Sequence, residues 1–122
     1  MDKPTALVVE DDIDLAQFVS RVLQKVGFEV AEVHTGLQAL AALGSTVPNL
    51  VILDIGLPQV SGIEILEGIK RDARLSQTYV IITTAYSQLP QTVKDQADLV
   101  LSKPIPYAKL RDLSKELVAS AV

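Results

Sequence analysis

The sequence contains no cysteine and no tryptophan, and it has a single histidine, His34, among its 122 residues. Without cysteine, the chain forms no disulfide, offers no thiolate to a metal and has no thiol nucleophile. One histidine likewise excludes a metal site built from several imidazoles. A mechanism that needs two histidines is excluded as well.

A strong charge imbalance and long hydrophobic runs are also missing. Asp and Glu total 15 against 11 Lys and Arg, for a net charge of −4, which makes direct binding to nucleic acid a poor fit. No apolar run approaches the ~18 residues of a membrane-spanning helix, and the amino terminus does not resemble a secretory signal. We expect a cytoplasmic protein in which residues 1–122 form one domain, with no contact to nucleic acid or membrane.

Five short segments predict β-strands. Four are continuous apolar runs, typical of strands covered on both faces of a parallel sheet. The fifth alternates polar and apolar residues, which is typical of an edge strand. The four apolar runs are Ala6–Val9, Leu50–Leu53, Tyr79–Thr83 and Leu99–Leu101, and the alternating segment is Glu29–Val33.

The segments between these runs predict five helices. In the first, apolar residues recur three and four apart from Leu15 to Val26, with Asp12 or Asp14 as the start cap and Gly27 at the end. The second predicted helix is Gly36–Leu43, and Gly44 is expected to end it. The third follows Gly62 and reaches Ile69, the fourth is Gln91–Gln96 and the fifth is Tyr107–Ala119. Strictly alternating strands and helices predict a three-layer, doubly wound α/β sandwich with a five-stranded parallel sheet.

Reactive side chains follow the predicted strands. Glu10 and Asp11 follow the first strand, Asp54 the third, Thr84 the fourth and Lys103 the fifth. In open α/β sheets, ligands bind beyond the carboxyl ends of the strands, so these groups are expected together. Clustered carboxylates repel one another, and a hard divalent cation such as Mg²⁺ would neutralise them. A phosphoryl group would account for the hydroxyl and the amine, with an Asp as its covalent acceptor.

Four motifs, taken in order, resemble the receiver domain of two-component response regulators, the family of the chemotaxis response regulator. They are Val8–Asp12, Asp54–Pro58 followed by Gly62, Thr84-Ala85, and Lys103-Pro104. The resemblance implies a flavodoxin-like fold with strand order 2-1-3-4-5. It also implies a switch that takes a phosphoryl group from a sensor histidine kinase or phosphotransfer protein and then controls an output. Catalysis would be limited to the protein's own phosphorylation and dephosphorylation.

The resemblance assigns the metal site and the phosphoacceptor. Asp54 resembles the residue that receives the phosphoryl group and also contacts Mg²⁺. Asp11 resembles the acid that ligates the metal directly, and Glu10 the acid that often acts through water. The backbone carbonyl of Gly56 stands where a further ligand is expected.

The resemblance also assigns the switch. Thr84 resembles the hydroxyl that turns towards the phosphoryl group, and Lys103 the lysine that pairs with that group. The Lys103–Pro104 peptide would be cis, as it is in the family. The output face would comprise the fourth helix, fifth strand and fifth helix, which is also where a weak dimer would form. The output itself would be a downstream protein or a domain outside residues 1–122.

Three features depart from typical receivers. Val100 stands where an aromatic residue is common, three positions before Lys103. The stretch from Thr84 to Lys103 is shorter by about one helical turn. Gly56 is small where many relatives carry a side chain beside the phosphoryl group, which would alter water access. We therefore expect the segment Ser87–Asp98 to move on phosphorylation, with Val100 as passive packing.

Two alternatives belong to other functional classes. A phosphatase with an aspartyl nucleophile usually needs a second acid two residues after it, and that position is Gly56. A degenerate receiver that acts only as an interaction module would not need the complete set of acids, Thr84 and Lys103.

Overall fold

Strands and helices alternate along the chain in the computed structural model, which describes residues 3–86 and 88–121. The strands are β1 (Thr5–Val9), β2 (Glu29–Val33), β3 (Leu50–Asp54), β4 (Tyr79–Thr84) and β5 (Leu99–Ser102). The helices are α1 (Ile13–Val26), α2 (Gly36–Ser45), α3 (Gly62–Arg71), α4 (Gln91–Gln96) and α5 (Tyr107–Ala121), with a short 3₁₀ turn at Ala73–Leu75. Among the described helices, none has the length and apolar character needed to span a membrane.

The five strands form one parallel sheet in the order β2-β1-β3-β4-β5, which confirms the predicted topology. The register aligns the carboxyl ends of the central strands: Val9 pairs with Leu53, Asp54 with Thr83 and Thr84 with Ser102. The residues that follow these strands therefore meet at one edge of the sheet.

Two apolar layers hold the helices against the sheet. On one face, α1 and α5 pack over residues such as Val8, Ile52 and Ile81. On the other face, α2, α3 and α4 pack over residues such as Leu53 and Ile82. Every residue of β3 is buried, as its continuous apolar run predicts. Each fully buried aliphatic side chain contributes about 1.5–3 kcal/mol, so these layers supply the main stabilisation.

Helix α1 begins and ends where its sequence predicts. The Asp12 carboxylate accepts a hydrogen bond from the Leu15 amide at 3.1 Å, which caps the first turn. Gly27 has a φ of 119°, a conformation that costs glycine little, and its amide bonds the last carbonyls of the helix. These two residues fix the points at which the chain leaves and re-enters the sheet.

Two expectations about the elements are wrong. Gly44 does not end α2 but lies within it, because glycine in a helix costs only about 1 kcal/mol. The helix ends at Ser45, where the Thr46 amide and hydroxyl both bond the Ala42 carbonyl and Pro48 follows shortly after. The run Leu99–Leu101 is not covered on both faces: Leu99 and Val100 are half-buried because β5 is the second edge strand.

Candidate functional site

The buried acids of the site are held by the ends of β1 and β3. The Glu10 amide donates to the Val33 carbonyl at 3.1 Å and extends the ladder by one residue. The chain then turns, and the Asp12 amide donates to Glu10 Oε2 at 3.1 Å. Asp54 is the last residue of β3. Glu10 and Asp54 are only 3% and 5% exposed, whereas Asp11 is exposed.

Lys103 joins the two buried acids. Its Nζ lies 2.8 Å from Glu10 Oε1 and 3.2 Å from Asp54 Oδ2. The Gly56 amide donates to the other Asp54 oxygen, Oδ1, at 2.9 Å. Both oxygens of the Asp54 carboxylate are therefore oriented, one by an ammonium and one by the backbone. The cis peptide between Lys103 and Pro104 is present, as expected.

Burial and charge perturb the ionisable groups of this cluster. Burial raises the pKa of Glu10, although the hydrogen bond from Lys103 and the Asp12 amide oppose that shift. Burial alone would lower the pKa of Lys103, but the hydrogen bond to Glu10 and the charge of Asp54 outweigh it, so that pKa is raised. Lys103 therefore stays a cation at neutral pH, where it partly neutralises the acids.

The acids are close enough to hold a metal ion. Glu10, Asp11 and Asp54 each offer a carboxylate oxygen, and these atoms all lie within 4.8 Å of one another. Three carboxylates face one ammonium, and the donors are all oxygen, which suits a hard cation such as Mg²⁺. The predicted ligand acids are therefore brought together. For Gly56, the structure shows the amide bonded to Asp54, and the role of its carbonyl stays a prediction.

Thr84 lies beside this cluster at the end of β4 and is buried. Its hydroxyl accepts a hydrogen bond from the Tyr86 amide at 2.9 Å, and its carbonyl accepts one from the Lys103 amide at 2.7 Å. The backbone of Thr84 is thus hydrogen-bonded to the residue that follows β5, while its hydroxyl is hydrogen-bonded to the loop that leads to α4. Nothing in the sequence pointed to Tyr86, because the contact depends on the local turn rather than on the side chain.

Two glycines beside Asp54 play different structural roles. A Cβ at Gly62 would lie 2.5 Å from the Asp54 carbonyl oxygen and 2.6 Å from Ile55 Cα, so α3 can begin this close to β3 only with glycine. A Cβ at Gly56 would lie 3.5 Å from Asp54 Oδ1 and 3.8 Å from the Tyr86 ring, which is ordinary contact. Position 56 therefore has room for a Cβ beside the carboxylate, and it carries no second acid of the kind that aspartyl phosphatases use.

Comparisons with known proteins agree with this arrangement. The sequence pattern of the response regulator receiver domain matches residues 6–115. The DNA-binding response regulator MtrA of Mycobacterium tuberculosis is 33% identical over 113 residues, which cover 93% of this chain and 46% of MtrA. The DNA-binding dual master transcriptional regulator RpaA of Synechocystis is 30% identical over 110 residues, which cover 88% of this chain and 46% of RpaA. The chain therefore spans about half the length of these curated relatives.

A solved structure extends the likeness to three dimensions. The response regulator TrrA of Thermotoga maritima, crystallised in complex with Mg²⁺ and BeF, is 30% identical and superposes with a TM-score of 0.82. The match covers 93% of this chain and 98% of the TrrA chain. The fold of this chain therefore matches that of a response regulator whose structure contains Mg²⁺ and BeF.

Proposed function

The chain belongs to the receiver domain family of two-component response regulators, and on this basis we propose that Asp54 is its phosphoacceptor. The observation that carries the proposal is the buried Asp54 carboxylate, with one oxygen held by Lys103 and the other by the Gly56 amide. We further propose that residues 1–122 form a single receiver domain that works in the cytoplasm.

The proposed reaction is a transfer between a phosphohistidine and Asp54. A carboxylate oxygen of Asp54 attacks the phosphorus, the phosphorus–nitrogen bond breaks, and the imidazole of the donor takes the electron pair. The product is an acyl phosphate on Asp54. Lys103 is already 3.2 Å from Asp54, so its ammonium stands where it can neutralise a phosphoryl oxygen without a large movement.

The acids around Asp54 would hold Mg²⁺ during this transfer. Glu10, Asp11 and Asp54, with the Gly56 carbonyl, are the proposed ligands, and the carboxylate oxygens are close enough to share one ion. When bound, Mg²⁺ supplies positive charge to the phosphoryl oxygens and relieves the repulsion among the carboxylates. The protein's own part is to keep Glu10 and Asp54 buried beside the Lys103 ammonium and to orient the Asp54 carboxylate.

The signal would leave the site through Thr84. A phosphoryl group on Asp54 offers the Thr84 hydroxyl a strong new acceptor, and turning towards it breaks the bond to the Tyr86 amide. That amide belongs to the loop before α4, so its release shifts the equilibrium of the α4 segment. Val100 is half-buried on β5 and acts here as passive packing.

The proposed partners follow from this role. A sensor histidine kinase or phosphotransfer protein supplies the phosphoryl group. The face formed by α4, β5 and α5 contacts a downstream protein or an output domain, as the DNA-binding relatives of about twice this length suggest. A weak dimer through that face stays a prediction.

Mass spectrometry of the intact chain tests the phosphoacceptor. With acetyl phosphate and Mg²⁺, we expect one added phosphoryl group, and none when EDTA replaces the metal. Asp54→Asn should abolish the gain because an amide is not a nucleophile. The matched control is Asp14→Asn, which changes an exposed acid in the first turn of α1 and should be labelled normally.

Two results would contradict the proposal. Full labelling of Asp54→Asn would show that another residue is the acceptor. Labelling that is undiminished by EDTA would show that the reaction needs no metal. Steady turnover of phosphate esters by the unmodified chain would favour the phosphatase alternative instead.

Hydrogen exchange with and without beryllofluoride tests the switch. The largest protection changes should fall between residues 88 and 98, because this segment is polar and only Val93 in α4 is buried. Ser87, the first residue of the predicted moving segment, lies outside the described residues. If the changes centre on β5 and disappear in Val100→Ala, then Val100 is part of the switch rather than passive.

A further inference from the structure

The outer side of α2 is apolar and carries no charge. Leu37 is 62% exposed and Leu40 is 44% exposed, and between Gly36 and Pro48 the sequence has no Asp, Glu, Lys or Arg. Leu37, Leu40 and Gly44 are spaced three and four apart, so they form one stripe along the helix. A surface helix of an acidic chain normally carries charges on its outer side, and this one does not.

A shallow groove lies between this stripe and α3. Its volume is about 160 Å³, and its walls include Leu40, Gly44, Ile65 and Gly68. Apart from the adjacent residues and the backbone of the same helix, no atom of the described chain lies within 4 Å of a Cβ built at Gly44 or Gly68. Glycine weakens a helix relative to alanine, and the interior of this chain does not require it at either position. Both glycines instead leave room for side chains that approach from outside.

The neighbouring stripe of α3 carries charges of opposite sign on either side of Gly68. Glu64, Gly68 and Arg71 lie four and three residues apart and therefore share one face of α3. Glu64 and Arg71 are exposed, and neither forms an ion pair within residues 3–86 and 88–121. At the end of the groove, Asp72 and Arg74 already pair with each other at 2.6 Å.

We propose that two copies of this chain associate through the α2–α3 face, defined by Leu37, Leu40 and Gly44 of α2 with Glu64, Gly68 and Arg71 of α3. A two-fold axis near Gly68 would run the two α3 helices antiparallel and set Glu64 of each copy opposite Arg71 of the other. The exposed leucines of each copy would then pack against the α2–α3 face of its partner.

A second copy fits this surface better than an unrelated partner. An isologous interface must be complementary to itself, and here a protruding leucine pair lies beside a recess on the same face. The order of charges along α3 is also complementary to itself under a two-fold axis. The chain as a whole repels its copies with a net charge of −4, whereas the charges of Glu64 and Arg71 cancel within this face, so two copies meet here at low electrostatic cost. The association does not depend on Asp54 or on phosphorylation.

Sedimentation equilibrium of the unphosphorylated chain, from about 10 µM to about 1 mM, tests the association in the range of weak complexes. We expect a reversible dimer, and Leu40→Glu should raise its dissociation constant at least about tenfold. The matched control is Ile13→Glu, which adds the same charge at a residue 55% exposed on the other side of the sheet and should leave the dimer intact.

A charge exchange tests the antiparallel arrangement. Glu64→Arg should weaken the dimer because each new arginine faces Arg71 of the other copy, and the double variant with Arg71→Glu should restore it. Glu64 also lies in the first turn of α3, capped by Ser61, so circular dichroism should confirm that the single variant is folded. The double variant shares any loss at that turn, so restoration could come only from the interface.

Three outcomes would overturn the proposal. The unmodified chain could stay monomeric over the whole range, or Ile13→Glu could weaken the dimer as much as Leu40→Glu. Loss of the dimer on substitution of exposed residues of α4 or α5, with Leu40→Glu unaffected, would place the association on the output face instead.

Discussion

The strand-end cluster and the α4 segment lie side by side but are held very differently. In the cluster, one ammonium joins two buried acids, and backbone amides orient both of those acids. Helix α4 has six residues, begins at Gln91 after Pro90 without a side-chain cap, and buries only Val93. Two residues after the helix ends, the Asp98 carboxylate accepts a hydrogen bond from the Val80 amide of β4 at 2.7 Å.

This difference separates two tasks. A group-transfer site needs its charges in place before the substrate arrives, because ordering them during the reaction would add to the barrier. A segment that reports the reaction must instead change its arrangement at little cost, and a short helix with little buried apolar surface does so. The following experiments test whether the strand-end cluster and α4 respond separately.

Removal of the shared cation should give the largest effect. Lys103→Met leaves Glu10 and Asp54 buried without a counter-charge, and unfolding in urea with EDTA should show a loss of about 2–4 kcal/mol. The matched control is Lys94→Met in α4, where the lysine is exposed, and it should cost no more than about 0.5 kcal/mol. Equal losses in the two variants would mean that the cluster is no more tightly held than α4.

Addition of Mg²⁺ should stabilise the unmodified chain by a similar amount. A ligand that binds only the folded state at a hundredfold excess over its Kd contributes about 2.7 kcal/mol. Asp11→Ala should remove this response while leaving the metal-free melting temperature unchanged or higher, because it relieves repulsion. Asp95→Ala, which removes an exposed acid of α4, should keep the full response. A melting temperature of the unmodified chain that does not change on addition of millimolar Mg²⁺ would argue against the metal site.

A smaller effect is expected at the boundary between the two regions. Val100→Ala removes two methyl groups from a half-buried side chain packed against the layer that includes Val93, and it should cost about 1 kcal/mol in urea. The exchange pattern induced by beryllofluoride between residues 88 and 98 should persist. Its disappearance would show that the boundary transmits the signal rather than filling space.

The smallest effect should come from strengthening α4 itself. Thr92→Glu places a negative charge in a first turn that has no acid, which favours the helix by about 0.5 kcal/mol. Amide exchange in α4 should slow by roughly twofold to threefold, which is that energy expressed as a rate ratio. Thr92→Gln separates helix propensity from charge, and neither variant should alter exchange at Glu10 or Asp54.

Most of the fold could be predicted because its signals are local. The apolar runs at Leu50–Leu53 and Ala6–Val9 are buried, the alternating run Glu29–Val33 is an edge strand, and Asp12 caps α1. The two wrong predictions, at Gly44 and at Leu99–Leu101, arose where the surrounding structure decides the outcome and the local sequence pattern does not. Gly44 resembles a helix end but stays helical, because α2 continues until Thr46 bonds back to Ala42. An apolar run does not reveal that β5 has a neighbour on one side only.

The candidate site also has a part that could be predicted from the sequence and a part that could not. The association of Glu10, Asp11 and Asp54 follows from strand order alone, since the ends of adjacent parallel strands must meet. The bond between Lys103 and Glu10, across two strands, and the bond between the Tyr86 amide and Thr84 depend on rotamers and on a turn. No spacing in the sequence encodes either of these contacts.

The glycine at position 62 has a consequence for how freely this protein can vary. Because a single methyl group there would collide with the Asp54 carbonyl, α3 and β3 would have to separate before any other residue could be accepted. Six positions earlier, Gly56 has room for a side chain beside the same carboxylate. In a library of random variants selected only for folding, position 62 should stay invariant while position 56 diversifies. The segment from Gly56 to Gly62 thus combines one position closed to mutation with another at which substitutions can change the site without disturbing the fold.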